Sequence, residues 1–391
     1  MSDAPLTSDK TAQGPKVAFV ANFCPHYRVR TFETLSKYLD IDFLFFSKGD
    51  EWFWLQQHGV RSGDFHYEYL PGFRLGRTRI TPTLPWKLWH GDYDVYVKGI
   101  TGRFALPITY LIARLKRKPF ILWTSIWMRL QTPFHRLAFP LTRYIYRHAD
   151  AIVVYGEHVK SYLVGEGVPA EQIFIAAHAV DNDAYNREVP EEEKAAWRQK
   201  LGIAPGQKVV LYLGRLEELK GLAYLLEAFA SLQRDDTVLV LVGAGSQRSH
   251  LERLADEKAI ADRVRFAGYV PPEKTVPLYA IAWVYVLPSI TTPHFKEPWG
   301  LVVNEAFNQG VPVVATDAVG AAAGGLVQDG INGFVVPERD SAALASAIGR
   351  VLDDAGLRER MSKNTRSTIV EWDNERMVKG FREAIAYVSA G

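Results

Sequence analysis

Cysteine and long apolar runs are nearly absent from this chain. Cys24 is the single cysteine among 391 residues, which excludes an internal disulfide and indicates a reducing compartment. No run reaches about 18 apolar residues, so the sequence predicts no membrane-spanning helix. The residues before Pro15 are polar and contain no apolar core, so we expect a disordered tail there rather than a signal peptide.

Two common ligand motifs are incomplete. Gly243-Ala244-Gly245 follows an apolar run, but Arg248 stands where a nicotinamide-cofactor fingerprint needs its third glycine. Three Asp-x-Asp pairs occur, and none has an EF-hand pattern. These pairs are Asp40 with Asp42, Asp92 with Asp94, and Asp181 with Asp183. The sequence therefore predicts a tight turn at the first motif and solvated turns, rather than a metal site, at the acid pairs.

Apolar runs alternate with helical patterns along most of the chain. The hydrophobic fraction of 48% and charged fraction of 23% are typical of a globular protein, and the length allows two domains. The alternation predicts an α/β fold with parallel sheets covered on both faces. It lapses between Ala177 and Gly206. The predicted organisation is a tail at 1–15, a first domain at 16–180, a linker at 181–206, a second domain at 207–372, and a helix at 373–391 that packs back on the first domain.

The predicted strands are short and mostly apolar, and residues from Asp50 to Leu70 are expected to be irregular. The strands are Lys16 to Asn22, Ile41 to Phe46, Val95 to Val97, Phe120 to Trp123, Ala151 to Val154, Val209 to Leu213, Thr237 to Val242, Val264 to Phe266, Trp283 to Leu287, Val313 to Ala315 and Phe334 to Val336.

Basic residues are concentrated in the first half of the chain. From Pro71 to His148 there are fourteen Lys and Arg residues and two acids, a local balance of +12, whereas from Asp181 onward 24 basic residues stand against 29 acids. A basic stretch with interleaved aromatics attracts an anionic partner. The candidates are the cytoplasmic leaflet of a membrane, a lipid-diphosphate acceptor and nucleic acid; the alternative is a solvated surface without a partner.

A pair of glutamates follows the predicted strand that ends at Leu287. The residues after it predict a helix that begins near Pro298 and stops at Gly310. Glu297 and Glu305 would then lie about 12 Å apart along the helix axis. The N–H groups and positive dipole end of a helix suit a phosphate. The segment therefore predicts a sugar-nucleotide site with one carboxylate on each side of the phosphates.

A cationic loop, Gly214 to Gly221, follows the strand predicted over Val209 to Leu213. Ligands of open parallel sheets bind at the carboxyl ends of the strands. Arg215 and Lys220 are therefore candidates to bind a diphosphate, the first as a bidentate donor and the second as a point charge. Glycine at position 214 lets the backbone approach a ligand. The alternative is an ordinary solvated loop.

Together these residues resemble the retaining glycosyltransferases of family 4, in glycosyltransferase group 1. Two glutamates separated by seven residues are similar to the family signature, and the cationic loop is similar to its donor-phosphate motif. Phe266 to Val270 and Asp329 to Phe334 also resemble family landmarks. The resemblance is strong from Lys208 to Leu352.

The resemblance implies a GT-B fold, in which two Rossmann-like domains face each other across a cleft and the second holds a nucleotide sugar. Arg215 and Lys220 are then expected to neutralise the leaving nucleoside diphosphate, Glu305 to hold the ribose and Glu297 to hold the transferred sugar. No metal or other cofactor is expected. The further expected donor contacts are Gly214, Gly243, Trp299, Gly300, Leu301 and Val302.

The first domain departs from the family pattern. Phe23 to Arg28 replaces a glycine-rich loop, and Thr124 and Ser125 stand where many relatives have a histidine. We therefore assign His26, Arg28, Thr124 and Ser125 to the acceptor side, and no catalytic histidine.

The resemblance and the basic stretch predict a hexosyltransferase of surface-glycan assembly. Its expected acceptor is lipid-linked or a polysaccharide, and its expected location is cytoplasmic and peripheral on an anionic membrane, without a nucleic-acid partner. Rival functions are a sugar-nucleotide epimerase, transfer to a soluble small molecule, and a non-catalytic nucleotide-sugar-binding protein. A glycosidase is disfavoured because its carboxyl groups must lie about 5 to 9.5 Å apart.

Overall fold

The chain divides into two compact units. The computed structural model describes residues 14–49 and 63–390. Of these residues, one unit comprises 14–49, 63–123, 149–151 and 383–390, and the other comprises Thr124–His148 and Ile152–Arg382. The domain boundaries expected at residues 180 and 206 stay a prediction.

The first unit is built on parallel strands in the order β3-β2-β1-β6-β7, with a separate antiparallel pair, β4 and β5. Every residue of β1 is buried, which is why this run reads as continuously apolar. The strands are β1 (Val17–Ala21), β2 (Ile41–Phe45), β3 (Tyr67–Tyr69), β4 (Phe73–Leu75), β5 (Thr78–Ile80), β6 (Val95–Gly99) and β7 (Phe120–Thr124). The helices are α1 (Val29–Tyr38), α2 (Thr83–His90) and α3 (Ala105–Leu115).

The second unit contains a six-stranded parallel sheet in the order β12-β11-β10-β13-β14-β15. Strands β8 and β9 also pair in parallel. The central strand β10 pairs with β11 and β13, so the loops after these three strands emerge at one edge of the sheet. The strands are β8 (Ala151–Val154), β9 (Ile173–Ile175), β10 (Lys208–Leu213), β11 (Thr237–Val242), β12 (Val264–Gly268), β13 (Val284–Leu287), β14 (Val313–Thr316) and β15 (Gly333–Val336).

Helices follow most of these strands, and many carry an apolar stripe. In α8 the buried stripe includes Leu222, Leu225, Leu226 and Phe229. The helices are α4 (Pro133–His148), α5 (Glu157–Gly165), α6 (Asn182–Tyr185), α7 (Glu191–Lys200), α8 (Leu222–Ser231), α9 (Arg248–Glu257), α10 (Val276–Ala280), α11 (Val302–Asn308), α12 (Gly320–Ala323), α13 (Ser341–Asp353), α14 (Ala355–Val370) and α15 (Asn374–Ser389).

The eleven predicted strands are confirmed, and β8 and β11 have the predicted bounds. Strands β3, β4, β5 and β9 were not predicted, and neither were helices α2, α6, α9, α10 and α12. The strands among them have three residues each, too few to show a period. Strand β3 lies within the segment predicted to be irregular, while residues 50–62 of that segment lie outside the described residues.

The last helix lies against β9. A Cβ atom at Gly380 would come 2.2 Å from the Ile175 carbonyl oxygen, so the two backbones touch there. The Asn374 amide also donates to the Val180 carbonyl at 2.9 Å.

Of the helices that the structure describes, none is long and apolar enough to cross a membrane.

Candidate functional site

Lys220 and Glu297 form a buried ion pair at the sheet edge where β10 and β13 end. Lys220 closes the 3-10 turn Glu218–Lys220 after β10, and Glu297 lies in the loop after β13. The Lys220 Nζ atom donates to Glu297 Oε2, and the Ser289 hydroxyl donates to the same oxygen at 2.9 Å. Each charge is desolvated, so removal of one partner would leave the other uncompensated. The sequence predicted both residues but not their pairing.

A close backbone contact positions this ion pair. Gly221 has φ of 65°, and a Cβ atom there would lie 2.0 Å from the Pro288 carbonyl oxygen. The Ile290 N–H donates to the Leu219 carbonyl at 3.0 Å. Only glycine permits both the left-handed conformation and the contact. The loops after β10 and β13 are thereby held together, with Lys220 facing Glu297.

The predicted glycines Gly214 and Gly243 touch at the ends of β10 and β11. The Gly214 N–H donates to the Val242 carbonyl at 2.9 Å, and a Cβ atom at Gly243 would lie 1.8 Å from the Gly214 oxygen. This backbone packing explains glycine at position 243 without a ligand. Arg215 follows, half-buried, and its carbonyl accepts a bond of 2.7 Å from the Tyr212 hydroxyl. Within the described ranges its guanidinium has no carboxylate partner, so it is available to an anion.

The helix that carries Glu305 begins at Val302, four residues later than predicted. Gly300 has φ of 95°, which is incompatible with a helix starting at Pro298. Glu297 therefore precedes α11, and Glu305 lies in its first turn. The predicted axial separation of about 12 Å is wrong, because it assumed that one helix joins the two glutamates. Gly310, with φ of 71°, follows the end of α11 as predicted.

The predicted backbone donors lie in the turn before α11. Among the residues that the structure describes, Gly300, Leu301 and Val302 donate their N–H groups to no backbone carbonyl. The side chain of Trp299 is buried, and its indole N–H donates to Asn304 Oδ1 at 2.9 Å. Trp299 thus anchors the turn through its side chain.

Glu305 is surrounded by tyrosines. The Tyr279 hydroxyl donates to Glu305 Oε2 at 2.7 Å, and Tyr185 also hydrogen-bonds to this carboxyl group. Burial raises the pKa of Glu305 to about 7, although both hydrogen bonds act to lower it. Burial, with the nearby Glu305 charge, raises the pKa of Tyr279 well above its ordinary value, so this phenol remains a neutral donor.

Sequence reasoning missed two side chains that hold the Glu297 backbone. The Trp127 indole N–H donates to the Glu297 carbonyl at 3.1 Å, and His158 Nε2 donates to the Pro298 carbonyl at 3.2 Å. Their rings meet edge to face, with centroids 4.8 Å apart. Burial lowers the pKa of His158 to about 4, so the ring is neutral near pH 7. No motif marks these residues, because their partners are main-chain atoms far away in sequence.

The residues predicted for the acceptor side have structural contacts of their own. Thr124 is buried at the end of β7, where its hydroxyl accepts from the Ile126 N–H at 3.3 Å, and Ser125 follows half-buried. In the first unit, His26 and Arg28 form the 3-10 turn His26–Arg28, and the Arg28 guanidinium lies 3.9 Å from the centre of the Trp123 ring. Their assignment to an acceptor site stays a prediction.

The acid pairs do not gather into a metal site. In residues 14–49 and 63–390, no three His, Cys, Asp or Glu side chains are arranged to hold a metal ion.

Burial raises the pKa of the Cys24 thiol to about 12, as expected of a packed residue.

Helix α4 presents an exposed apolar stripe bordered by arginines. Leu137 and Leu141 are 84% and 51% exposed, and Phe134 and Tyr144 continue the stripe at helical spacing. The helix contains three arginines and no acidic residue. A surface cavity of about 420 Å³ beside it is lined by Arg129, Phe139, Pro140, Arg143, Tyr144, Arg147 and His148. Glu166 pairs with Arg143 at 2.9 Å.

The fold is that of the GT-B glycosyltransferases. The HepE protein of Anabaena, in a crystal structure with UDP, matches 95% of this chain and 99% of its own, with a TM-score of 0.75 and 22% identity. The same protein has also been crystallised with UDP-glucose. At this identity the likeness shows the fold alone.

The family follows from the sequence comparisons. Residues 193–368 match the family model described as glycosyl transferases group 1. The α-D-kanosaminyltransferase of Streptomyces kanamyceticus is 30% identical over 65% of this chain and 67% of its own length. The lipopolysaccharide core biosynthesis glycosyltransferase LpsE of Rhizobium meliloti is 34% identical over 48% of this chain and 53% of its own. This chain belongs to the group 1 glycosyltransferases, and it spans about half to two thirds of the length of these curated relatives.

Proposed function

We propose that this chain transfers a hexose from a nucleoside-diphosphate sugar, with retention at the anomeric carbon, to a lipid-linked or polysaccharide acceptor in surface-glycan assembly. The observation that carries the proposal is the Lys220–Glu297 pair at the carboxyl ends of β10 and β13, where an open parallel sheet binds its ligand. Membership in the group 1 family supports sugar transfer.

The cations of the site suit the leaving diphosphate. Arg215, without a carboxylate partner within the described range, would bind phosphate oxygens as a bidentate donor. Lys220 would share its ammonium between Glu297 and the phosphate. Stabilisation of the charge that develops on the leaving group is commonly the largest catalytic effect, and loss of one such donor costs on the order of 100- to 1000-fold in rate.

The two glutamates would hold the two ends of the donor. Glu297 would accept hydroxyl hydrogen bonds from the transferred sugar, and Glu305 from the ribose. In a front-face reaction the bond from the anomeric carbon to the phosphate breaks as the acceptor oxygen bonds to the same face. The leaving phosphate takes the acceptor proton, so no protein base is needed. UDP-glucose is the first donor to test, since HepE binds it.

The acceptor would be presented at a membrane surface. The apolar stripe of α4, with Leu137 and Leu141 exposed and arginines beside it, fits an amphipathic helix that lies in the headgroup region of an anionic leaflet. The lipopolysaccharide role of LpsE supports a lipid-linked acceptor. The protein would then be cytoplasmic and peripheral, without a nucleic-acid partner and without a metal requirement.

A panel of nucleotide sugars tests the donor half of the proposal. UDP, GDP and ADP, each alone and as the glucose conjugate, are added in a thermal-shift assay, because a bound donor raises the melting temperature by mass action. We expect one base to stabilise the protein and slow hydrolysis of its sugar to follow, with retained anomeric configuration seen by NMR. Tight binding without hydrolysis or transfer would favour a sugar-nucleotide sensor, and donor interconversion without an acceptor would favour an epimerase.

Vesicle co-sedimentation tests the membrane half. At low salt the protein is expected to pellet with phosphatidylglycerol vesicles and not with phosphatidylcholine vesicles. Leu137→Glu should release it, whereas Val370→Glu, on the exposed face of α14, should not. Equal recovery from both vesicle types would contradict peripheral binding to an anionic surface.

A further inference from the structure

The segment from Lys296 to Leu301 carries the sugar-side glutamate without the support of a helix or strand ladder. Glu297 makes a single bridge to Val319, and α11 begins only at Val302. Pro298 lacks an N–H group, and Gly300 has φ of 95°. The direction of the Glu297 carboxylate therefore depends on what holds the main chain on each side of it.

Two ring N–H groups hold that main chain. Trp127 Nε1 donates to the Glu297 carbonyl at 3.1 Å, and His158 Nε2 donates to the Pro298 carbonyl at 3.2 Å. The Gly320 N–H adds a bond of 3.0 Å to the Glu297 carbonyl. Adjacent carbonyls are thus fixed by donors from the loop after β7 and from helix α5.

The two donors are themselves fixed. The edge-to-face contact of the rings, at 4.8 Å between centroids, orients the His158 and Trp127 planes together. The Lys296 ammonium lies 3.7 Å from the centre of the Trp127 ring, and a Cβ atom at Gly320 would approach His158 Nε2 to 2.9 Å. Since a carbonyl only accepts, Nε2 carries the proton of the neutral ring. This packing leaves the donors little freedom to follow a displaced Glu297.

We propose that Trp127 and His158 are positioning residues for Glu297. Their N–H groups hold the main-chain carbonyls of Glu297 and Pro298, while Lys220 and Ser289 hold the Glu297 carboxylate. The carboxylate is thereby kept facing the hydroxyls of the transferred sugar. The inference rests on the proposed function. Supporting groups of this kind matter because a displacement of about 1 Å at a reacting group can cost on the order of 100-fold in rate.

Trp127→Phe and His158→Phe each remove the ring N–H group and keep an aromatic ring at the position. They are compared with His158→Gln, which retains a side-chain N–H donor. Trp283→Phe is the matched control, because the Trp283 indole donates to the Val351 carbonyl at 3.0 Å in the same unit. The readouts are the dissociation constants of UDP and UDP-glucose by calorimetry, kcat and KM for UDP-glucose hydrolysis, and the melting temperature.

The expected pattern separates positioning from general stability. Both phenylalanine variants should lower kcat by about 10- to 100-fold and reduce the extra affinity that glucose adds to UDP, with UDP affinity unchanged. His158→Gln should recover most of that loss. Trp127→Phe keeps a ring against His158 and decides the inference if His158→Phe does not fold.

Two results would overturn the inference. One is that Trp127→Phe has the same kcat as the control Trp283→Phe, and that glucose adds as much affinity to UDP as it does in the wild type. The other is an equal loss of UDP and UDP-glucose affinity. Failure of the wild-type protein to bind or hydrolyse UDP-glucose, or any other donor of the panel, would instead reject the proposed function.

Discussion

The two glutamates of the site lie in contrasting electrostatic surroundings. Glu297 pairs with the Lys220 ammonium and a serine hydroxyl, whereas Glu305 accepts from two neutral tyrosine hydroxyls and has no cationic partner among the described residues. Burial accordingly raises the pKa of Glu305 to about 7. The comparison shows that two carboxylates eight residues apart differ in their charge: that of Glu297 is compensated by an ammonium group, whereas Glu305 gains its charge as the pH rises through about 7.

Removing the cation at the Glu297 end should have the largest effect. Lys220→Ala takes away the charge expected at the leaving phosphate, and it leaves Glu297 buried beside Ser289 alone. We expect the rate of donor hydrolysis or transfer to fall about 100- to 1000-fold. Steady-state kinetics with the donor chosen by thermal shift measures this. Lys274→Ala, an exposed lysine of the same unit, should leave the rate unchanged. Near-normal turnover of Lys220→Ala would show that the pair is structural only.

The backbone contact that holds Lys220 can be broken separately. Gly221→Ala places a Cβ atom 2.0 Å from the Pro288 oxygen, whereas Gly330→Ala meets nothing within 4 Å at a similar φ of 72°. Both variants place alanine in the left-handed region, so the difference in stability between them reports the clash with the Pro288 oxygen. We expect Gly221→Ala to be less stable by about 2 kcal/mol, the usual cost of overpacking, and slower in turnover. Equal melting temperatures and rates would mean that the loop shifts freely.

At the Glu305 end the expected effect is smaller and depends on pH. Because burial raises the pKa of Glu305 to about 7, the carboxyl group loses its charge as the pH falls from 8 to 6. If the carboxylate holds the ribose, nucleotide affinity should fall about 10-fold over that interval, following the ionised fraction. Calorimetry at each pH measures it.

Two variants sharpen this pH test. Tyr279→Phe removes a hydrogen bond that lowers the Glu305 pKa, so the midpoint should move to higher pH. Glu305→Gln should show only the titration of the nucleotide itself. A wild-type profile that matches the Glu305→Gln profile would contradict a titrating carboxylate in the ribose contact.

The sequence predicts the framework better than the contacts inside the site. Alternating apolar runs locate the strands that precede Lys220 and Glu297, and parallel pairing follows because these strands alternate with helices. The start of α11 was misplaced because Pro298 is a common first helical residue, and nothing local shows that Gly300 takes φ of 95°. Trp127 and His158 were missed because hydrogen bonds to distant carbonyls leave no motif.

Calorimetry tests directly whether the two glutamates hold opposite ends of one donor. The affinities of UDP and UDP-glucose, or of the matching pair chosen by thermal shift, are compared in Glu297→Gln and Glu305→Gln. Glu297→Gln should bind UDP at least as tightly as the wild type, because the Lys220 ammonium no longer pairs with a carboxylate, and it should lose the affinity that glucose adds to UDP. Glu305→Gln should weaken both ligands by the same factor. Loss of UDP affinity in Glu297→Gln, with the glucose contribution intact, would contradict this assignment of the two glutamates.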